Sequence, residues 1–180
     1  IKFTDGGADG EIVLADAADL TITTEVGGSG GGTITVEVPI LGTAGSVATD
    51  VTMTGGSGAI SVEDMGTDIN DISLTTTGTI SLNGTYTTSI LSSGNADVGD
   101  VTLTGPVTLA GNTTIDTDSS NGTVGFTSTV DGGNTLTISS GSGAVDFAGN
   151  IGATTALGDV DINSSSGTGT IDIEQIGDTD

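Results

Sequence analysis

Apolar side chains recur along the chain in pairs whose two members are separated by a single residue. Fourteen such pairs extend from Ile12/Leu14 to Ile171/Ile173, and in thirteen of them the intervening residue is Thr, Ser, Asp or Gly. This alternation places apolar side chains on one face of a strand and polar side chains on the other. No i, i+3, i+4, i+7 stripe persists over three turns, and only residues 15–20 have a pattern compatible with a helical turn. The sequence therefore predicts an all-β fold.

Segments rich in Gly, Ser, Asn and Asp separate the apolar pairs. They predict turns, because Gly and Asn adopt positive φ angles at low energetic cost. The same composition is also found in flexible linkers, but the regular strand signals on either side favour turns. The segments are 27–32, 55–58, 92–97, 119–122, 131–134, 139–143 and 164–169.

An internal repeat underlies this pattern. Residues 51–62 align with residues 136–147, and in both segments the first members of successive apolar pairs are nine positions apart. Residues 160–173 repeat the unit with two extra turn residues, and residues 72–82 form a shorter copy. Successive units begin at Val51, Ile72, Val101, Leu136 and Val160. Their separation averages about 27 residues, which lies in the range typical of solenoids and repeat arrays.

Two architectures bury such strands: a β-solenoid of stacked coils and a β-sandwich of two facing sheets. The apolar residues are mostly Val, Ile and Leu, whose similar sizes stack into even ladders, and Thr suits the outer pleated surface. We therefore predict a β-solenoid, with a β-sandwich as the alternative. Residues 1–180 form a single repetitive β domain, which we expect to be a segment of, or a subunit in, a longer assembly. Because the chain starts at Ile1 with no secretion signal, we expect a processed chain or a fragment.

The same alternation predicts which side chains are enclosed. Thr137, Asp146, Asp161 and Asp172 are expected to face outward, and a register slip of one residue would reverse every assignment. The residues predicted to be buried are Phe126, Leu136, Ile138, Phe147, Val160, Ile162, Ile171 and Ile173.

Composition excludes several functions. The 180 residues contain one Lys (Lys2), no Arg, His, Cys or Trp, and 24 carboxylates, which gives a formal net charge of -23. Nucleic acids and anionic membranes require positive charge, so neither is an expected partner. No apolar run approaches the roughly 20 residues of a membrane-spanning helix, so membrane insertion is not expected. Most general bases and activated nucleophiles are missing, which argues against an enzyme. A catalytic site is therefore not predicted.

The high net charge and low aromatic content are also marks of disorder. Against disorder, 33% of the residues are hydrophobic and the mean hydropathy is +0.19.

Self-repulsion of the carboxylates opposes compaction and association near neutral pH. Stability and assembly are therefore predicted to depend on pH and on cations.

Residues 101–173 carry a family resemblance, most clearly in the segments 122–138, 143–157 and 158–162. They resemble the repeats of very large bacterial surface proteins of the filamentous-haemagglutinin and autotransporter-adhesin type, and residues 20–82 do so more faintly. The resemblance implies an extracellular, secreted, β-helical stalk used in adhesion or as a structural fibre. The matching motifs are compositional and therefore assign no site residues.

Two carboxylate pairs, Asp116/Asp118 and Asp159/Asp161, are the nearest candidates for glycosidase chemistry. Such a site needs carboxylates with different environments in a cleft, together with aromatic side chains that stack on sugars. With no Trp and a single Tyr in the chain, we interpret both pairs as solvated turn residues. No catalytic, cofactor or metal residues are therefore assigned.

Calcium is the better functional interpretation of the acidic turns, because Ca²⁺ binds six to eight oxygen ligands. The candidate segments are 5–11, Asp97 with Asp100, and 116–121. None has the spacing of an EF-hand, since residue 121 is Asn where Gly is required. Ordinary turn residues remain the favoured interpretation, and no cofactor other than calcium is considered.

Asp146, Asp161 and Asp172 each lie between two apolar residues. If their coils are adjacent, like charges lie about 5 Å apart and destabilise the stack unless a cation bridges them. The alternative is that the register of the coils offsets them.

Four Asn-x-Ser/Thr sequons begin at Asn83, Asn112, Asn121 and Asn163 and have meaning only in a glycosylating secretory pathway.

These observations predict a non-enzymatic extracellular structural protein, a β-solenoid segment of a cell-surface adhesin, stalk or filament. Solenoids have open ends whose unpaired backbone groups invite another subunit, so head-to-tail self-association into a filament is expected. A host surface or a glycan is a further candidate partner. The alternative function is a calcium- or carbohydrate-dependent adhesive binding module.

Overall fold

The computed structural model describes residues 1–4, 10–25, 30–43, 49–66, 68–89, 98–163 and 169–177. It is an all-β, parallel β-solenoid of about six turns, and none of these residues lies in a helix. Every ladder between the described strands is parallel, such as β4 with β7 (Ile34–Val36 and Ile60–Val62). The predicted solenoid is therefore confirmed, because a β-sandwich would require antiparallel pairing within two facing sheets.

The described part of the chain contains eighteen strands. In chain order they are β1 (Lys2–Phe3), β2 (Ile12–Leu14), β3 (Leu20–Thr23), β4 (Ile34–Val36), β5 (Ile40–Gly42), β6 (Val51–Gly56), β7 (Ile60–Val62), β8 (Met65–Gly66), β9 (Ile72–Thr76), β10 (Ile80–Thr87), β11 (Val101–Thr104), β12 (Val107–Asp116), β13 (Val124–Phe126), β14 (Val130–Asp131), β15 (Thr135–Ser139), β16 (Val145–Ile151), β17 (Asp159–Asn163) and β18 (Ile171–Ile176).

The strands stack in three parallel ladders, which form the three faces of the solenoid. Face 1 contains β1, β4, β7, the first halves of β10 and β12, β14, and the ends of β16 and β18. Face 2 contains β2, β5, β8, the second halves of β10 and β12, β15 and β17. Face 3 contains β3, β6, β9, β11, β13, and the first halves of β16 and β18. Each coil therefore passes once through all three faces.

Two glycines show how tightly the corners of successive coils approach each other. Strand β10 turns from face 1 to face 2 at a register shift between Leu82 and Gly84, where Gly84 has a φ of 116°. At the corner between faces 3 and 1, Gly105 has a φ of 134°, and a Cβ there would overlap the main-chain oxygen of Thr76 in the preceding coil. Side chains are excluded at both positions by the backbone conformation, and at Gly105 also by the neighbouring coil.

The coils vary in length, and the apparent sequence repeat does not follow them. The six register steps on face 3 between Leu20 and Ile171 average about 25 residues. Val51 begins a strand on face 3, whereas Leu136, aligned with it in the sequence repeat, lies on face 2. The aligned segments 51–62 and 136–147 therefore turn different corners. All three faces impose the same inward–outward alternation, so segments from different faces have similar sequences.

The core consists of columns of side chains that run along the solenoid axis. One column contains Met53, Leu74, Leu103, Phe126 and Phe147, and each of them is at most 1% exposed. The rings of Phe126 and Phe147 are stacked, with centroids 4.5 Å apart and planes inclined by 5°. Enclosing each such side chain stabilises the fold by about 1.5–3 kcal/mol. Each of these side chains therefore packs against its register partners in the adjacent coils.

The side chains that the alternation assigned to the inside and to the outside of the solenoid point in the predicted directions. The side chains of Phe126, Leu136, Ile138 and Phe147 are buried, as predicted. Outward positions follow the prediction as well: Asp146, Asp161 and Asp172 are exposed, and Thr137 is half-buried.

The prediction is wrong for four residues of the last described coil. Val160, Ile162 and Ile173 are only half-buried, and Ile171 is 45% exposed. Their strands, β17 and β18, pair with a described coil on one side alone, so their inward side chains are covered on that side only. Position in the stack therefore sets the degree of burial, and alternation sets only the direction.

Candidate functional site

A row of aspartates follows the corner between faces 2 and 3. Asp19, Asp50, Asp71 and Asp100 each precede the first residue of a face 3 strand, namely β3, β6, β9 and β11. Because those first residues are register partners in successive coils, the four aspartates stack along the axis. We call this row the aspartate ladder.

Each carboxylate of the aspartate ladder accepts a main-chain N–H from the next coil. The N–H of Asp50 donates to Oδ1 of Asp19 at 3.1 Å, and that of Asp71 to Oδ1 of Asp50 at 3.2 Å. The N–H of Asp100 donates to Oδ1 of Asp71, and that of Thr123 to Oδ1 of Asp100, both at 2.7 Å. Hydrogen bonds to a charged acceptor are stronger than neutral ones. The aspartate ladder therefore joins five successive coils at this corner.

The same geometry brings like charges together. Successive coils lie about 4.8 Å apart, so the ladder carboxylates repel each other along the axis. The N–H donors offset part of this repulsion, since each carboxylate accepts a main-chain hydrogen bond. Asp50, Asp71 and Asp100 are also half-buried, which excludes part of the screening solvent. The sequence analysis missed this row. An Asp immediately precedes an apolar pair five times in the sequence, but the fifth, Asp159, lies on face 2, so the sequence signal alone does not define the row.

Other corners are joined in the same way by side-chain oxygens. Oδ1 of Asp64 accepts the N–H of Thr85 at 2.6 Å. Oδ1 of Asp131 accepts the N–H groups of Thr154 and Thr155 at 2.7 and 3.0 Å. Acidic and amide residues at the turns therefore connect one coil to the next, a structural role that requires no bound ligand.

Buried hydroxyl groups complete the corner between faces 2 and 3. Oγ1 of Thr88 donates to the carbonyl oxygen of Gly99 at 2.6 Å, and Oγ1 of Thr117 donates to that of Gly122 at 2.8 Å. At the equivalent turn one coil further along, Oγ of Ser140 donates to the carbonyl oxygen of Gly143, three residues later in the same turn, at 3.1 Å. These three hydroxyls are fully buried, so the hydrogen bonds satisfy carbonyl groups that the turn removes from water.

The candidate calcium turns are only partly described. Residues 5–9 and Asp97 lie outside the described residues, and Asp100 belongs to the aspartate ladder. In the segment 116–121, Oδ1 of Asp116 accepts the N–H of Asp118 at 3.0 Å, and Oδ1 of Asn121 accepts the N–H and Oγ–H of Ser142 at 2.9 Å. No group of three acidic, His or Cys residues suited to a metal ion occurs within the described ranges. Calcium binding stays a prediction.

The candidate pair Asp159/Asp161 lies on face 2 in the last described coil. Both side chains are exposed. Oδ1 of Asp159 accepts the main-chain N–H of Val160 at 2.9 Å. Oδ1 of Asp161 accepts a hydrogen bond from Nδ2 of Asn163 at 3.0 Å. The two carboxylates are thus engaged in local hydrogen bonds on an open strand surface.

The three outward aspartates divide between two faces. Asp146 and Asp172 are register partners on face 3, whereas Asp161 is the register partner of Thr137 on face 2. The stacking of like charges that the sequence left open therefore occurs for one pair, and the register of the coils separates the third aspartate from it. No cationic side chain compensates this pair, because Lys2, the single Lys, forms an ion pair with Glu37 at 2.8 Å.

Tyr86 is the only Tyr of the chain and lies in the core. Its hydroxyl donates to the carbonyl oxygen of Val62 at 2.8 Å and accepts the N–H of Asn83 at 3.1 Å. Burial raises the pKa of Tyr86 far above its ordinary value, and the negative charges of Asp64 and Glu63 add to this effect against the lowering influence of the Asn83 hydrogen bond. The Tyr86 hydroxyl is therefore a structural group that holds two coils together.

The first and last described coils leave apolar side chains exposed. Strands β1, β2 and β3 at one end, and β17 and β18 at the other, each pair with a described coil on one side alone. Six large apolar side chains are exposed among the described residues, and all but Val98 lie in these end coils: Ile1, Phe3, Val13, Ile171 and Ile176. We call these surfaces the open ends. Each presents a parallel edge and apolar side chains that a further coil would cover.

The side chains of all four sequon asparagines are exposed: Asn83, Asn112, Asn121 and Asn163.

Within the described ranges, no helix is long and apolar enough to cross a membrane. Comparisons of the chain with models of known protein families, with curated proteins and with solved structures gave no match.

Proposed function

We propose that this chain is a non-enzymatic structural segment of an extracellular surface protein, such as the stalk of an adhesin or a filament. The observation that carries the proposal is the continuous coil-to-coil stack, with its core columns, its aspartate ladder and its open ends. The core columns, the aspartate ladder and the parallel strand pairing all join a coil to its neighbours along one axis. Such a stack suits a spacer or fibre, because its length increases with each added coil.

The extracellular location rests on the resemblance of residues 101–173 to bacterial adhesin repeats. The composition agrees with it, since 24 carboxylates against one Lys keep a long exposed fibre soluble by charge repulsion. Antibodies raised against the purified chain should label intact cells of the source organism. Labelling that requires prior permeabilisation would contradict the extracellular role and leave the β-solenoid fold intact.

Head-to-tail association follows from the open ends. Phe3 at one end and Ile176 at the other are 36% and 69% exposed, although their register partners Val36 and Ile151 are buried. Covering these two side chains with a second copy removes apolar surface from water and pairs the free strand edges. Because carboxylate repulsion opposes the contact, association should strengthen with salt.

Negative-stain electron microscopy over a concentration and salt series tests this association. Rods should lengthen with both variables, and Ile176→Asp should keep them short. Val98→Asp is the matched control, because Val98 is 41% exposed but does not lie in an end coil. Particles of one length under all conditions, or equal shortening by Val98→Asp, would contradict the head-to-tail contact.

A further inference from the structure

Hydroxyl-bearing residues occupy eight outward positions of face 3 and form two columns. On each strand, one inward-facing residue lies between the member of the first column and the member of the second. The first column contains Thr21, Thr52, Ser73 and Thr102. The second column contains Thr23, Thr54, Thr75 and Thr104. Residues of each column are register partners in successive coils, without an interruption over four strands, β3, β6, β9 and β11. We call this surface the hydroxyl grid.

The backbone fixes both spacings of the hydroxyl grid. Neighbours within a column are separated by the strand spacing of about 4.8 Å, and the two residues on one strand are about 6.6 Å apart. Between them lie buried core residues such as Met53 and Leu74, which anchor each strand from below. The hydroxyls are thus held by a rigid parallel sheet.

The eight residues of the hydroxyl grid carry no charge, and their side chains are not used elsewhere in the described part of the chain. Glu25 lies at the margin of the second column, where it lines a cavity together with Thr54, Thr75 and Thr104. None of the eight side-chain hydroxyls makes a hydrogen bond to another described residue, whereas buried hydroxyls such as those of Thr88 and Thr117 do. The eight positions carry no charge in a chain of net charge -23. The ladder carboxylates lie beside the grid, where they accept main-chain hydrogen bonds. A neutral, regular array of donors and acceptors fits an uncharged, periodic partner.

We propose that the hydroxyl grid binds the surface of ice. Water molecules that bridge neighbouring hydroxyls adopt the spacing of the grid, and the spacing within a column is close to the oxygen–oxygen repeat along the a axis of hexagonal ice. Threonine occupies seven of the eight positions and presents a methyl group beside its hydroxyl, so poorly ordered water over the methyl groups is displaced at little cost when a lattice of water attaches. The rigid sheet keeps the ordering entropy of the eight side chains low.

The same face shows where the ice-binding surface ends. Beyond Thr102, the next three partners in the first column are Gly125, Asp146 and Asp172. Glycine offers no hydroxyl, and Asp146 and Asp172 place charged carboxylates in the column itself, whereas the ladder carboxylates lie outside both columns and accept main-chain hydrogen bonds. The surface is therefore confined to the N-terminal part of face 3. It is independent of the stalk role, because it requires only that this face is exposed.

Ice-affinity partitioning of the purified chain, together with inhibition of ice recrystallisation, tests the proposal. The chain should enter a slowly growing ice phase and keep ice grains small, while an acidic protein of similar charge stays in the liquid. The double variant Thr54→Lys/Thr75→Lys places bulk and charge at the centre of the grid, and it should return both readouts to the level of the acidic control. The circular dichroism spectrum should stay unchanged, because both side chains point outward.

Thr108→Lys is the matched control, because Thr108 is an exposed outward residue on face 1. It should partition into ice as the unchanged chain does. Thr52→Lys provides a second grid variant if the double variant does not fold. Partitioning of the unchanged chain equal to that of the acidic control would overturn the proposal. So would retention of activity by a folded grid variant, or an equal loss with Thr108→Lys.

Discussion

The carboxylate of Asp71 accepts the main-chain N–H of Asp100, one coil further along the axis, at 2.7 Å. Asp71 itself donates its N–H to the carboxylate of Asp50 in the preceding coil. Each of these residues is therefore both donor and acceptor in a chain of hydrogen bonds parallel to the solenoid axis. This arrangement brings carboxylates of like charge close together. It is tolerated because each carboxylate accepts a main-chain N–H that would otherwise have no hydrogen-bond acceptor.

Substitutions of Asp71 should separate the hydrogen bond from the charge. Asp71→Ala removes the acceptor and leaves the half-buried N–H of Asp100 unpaired, which should lower the free energy of unfolding by about 1–3 kcal/mol. Asp71→Asn keeps an oxygen acceptor and removes repulsion from Asp50 and Asp100, so its loss should be smaller. Urea unfolding measures the loss for both variants, and the slope of the free energy of unfolding against urea concentration should stay unchanged. Equal losses for the two variants would contradict a hydrogen-bonding role.

Truncation of equivalent core residues should cost less in the last described coil. Ile138 is fully buried on face 2, and its register partner Ile162 in the next coil is half-buried. Ile138→Ala should therefore lower the free energy of unfolding by about 2–5 kcal/mol, and Ile162→Ala by clearly less. If Ile162→Ala is as destabilising as Ile138→Ala, an additional coil or a second copy covers that end in solution.

Neutralising one member of the stacked pair Asp146 and Asp172 should stabilise the protein. Asp172→Asn removes a like-charge contact between exposed side chains on adjacent coils, with an expected gain of about 0.2–1 kcal/mol at low salt that shrinks as salt is added. Asp161→Asn is the control, because Asp161 is the register partner of Thr137. Thermal melts at low and high NaCl measure the difference. A loss of stability with Asp172→Asn would instead favour a bound cation.

Alkaline pH should destabilise the fold through Tyr86. Its folded-state pKa is raised by burial, so above pH about 10 the unfolded chain releases the phenolic proton while the folded chain retains it. The folded state then binds more protons, and the free energy of unfolding falls by about 1.4 kcal/mol per pH unit until the folded-state pKa is reached.

The ultraviolet absorbance of tyrosinate reports this ionisation without interference, since the chain has one Tyr and no Trp. Tyrosinate should appear together with unfolding, and Tyr86→Phe should remove the component of alkaline destabilisation due to this residue. Ionisation of Tyr86 near its ordinary pKa in a chain that remains folded would show that the hydroxyl is accessible to solvent.

Period-two alternation was enough to predict the strands, the solenoid class and the direction of each side chain, as Leu136, Thr137 and Ile138 illustrate. It was not enough to place a strand on a particular face. The three faces impose the same pattern, so the segments beginning at Val51 and Leu136 look alike but turn different corners. Face assignment depends on coil lengths, and these vary because corners tolerate insertions.

The aspartate ladder and the hydroxyl grid were hidden for a related reason. Asp19 and Asp50 are 31 residues apart in the sequence and Asp50 and Asp71 only 21, so no fixed spacing connects them. They become neighbours only when the register of β3, β6 and β9 is known. The degree of burial at Ile171 was likewise unpredictable, because alternation carries no information about whether another coil covers a strand.

The central claim is that successive coils stack in parallel and in register along one axis. Because the chain has no Cys, paired cysteine substitutions measure this directly. Ser81 and Thr108 are outward register partners on face 1, and their Cα atoms should lie about 4.8 Å apart, within the range that a disulfide spans. Mild oxidation of Ser81→Cys/Thr108→Cys should therefore give an intramolecular disulfide rapidly, while Ser81→Cys/Thr114→Cys, which joins different faces, should not. Failure of the first pair to cross-link, or efficient cross-linking of the second, would contradict the stacked solenoid.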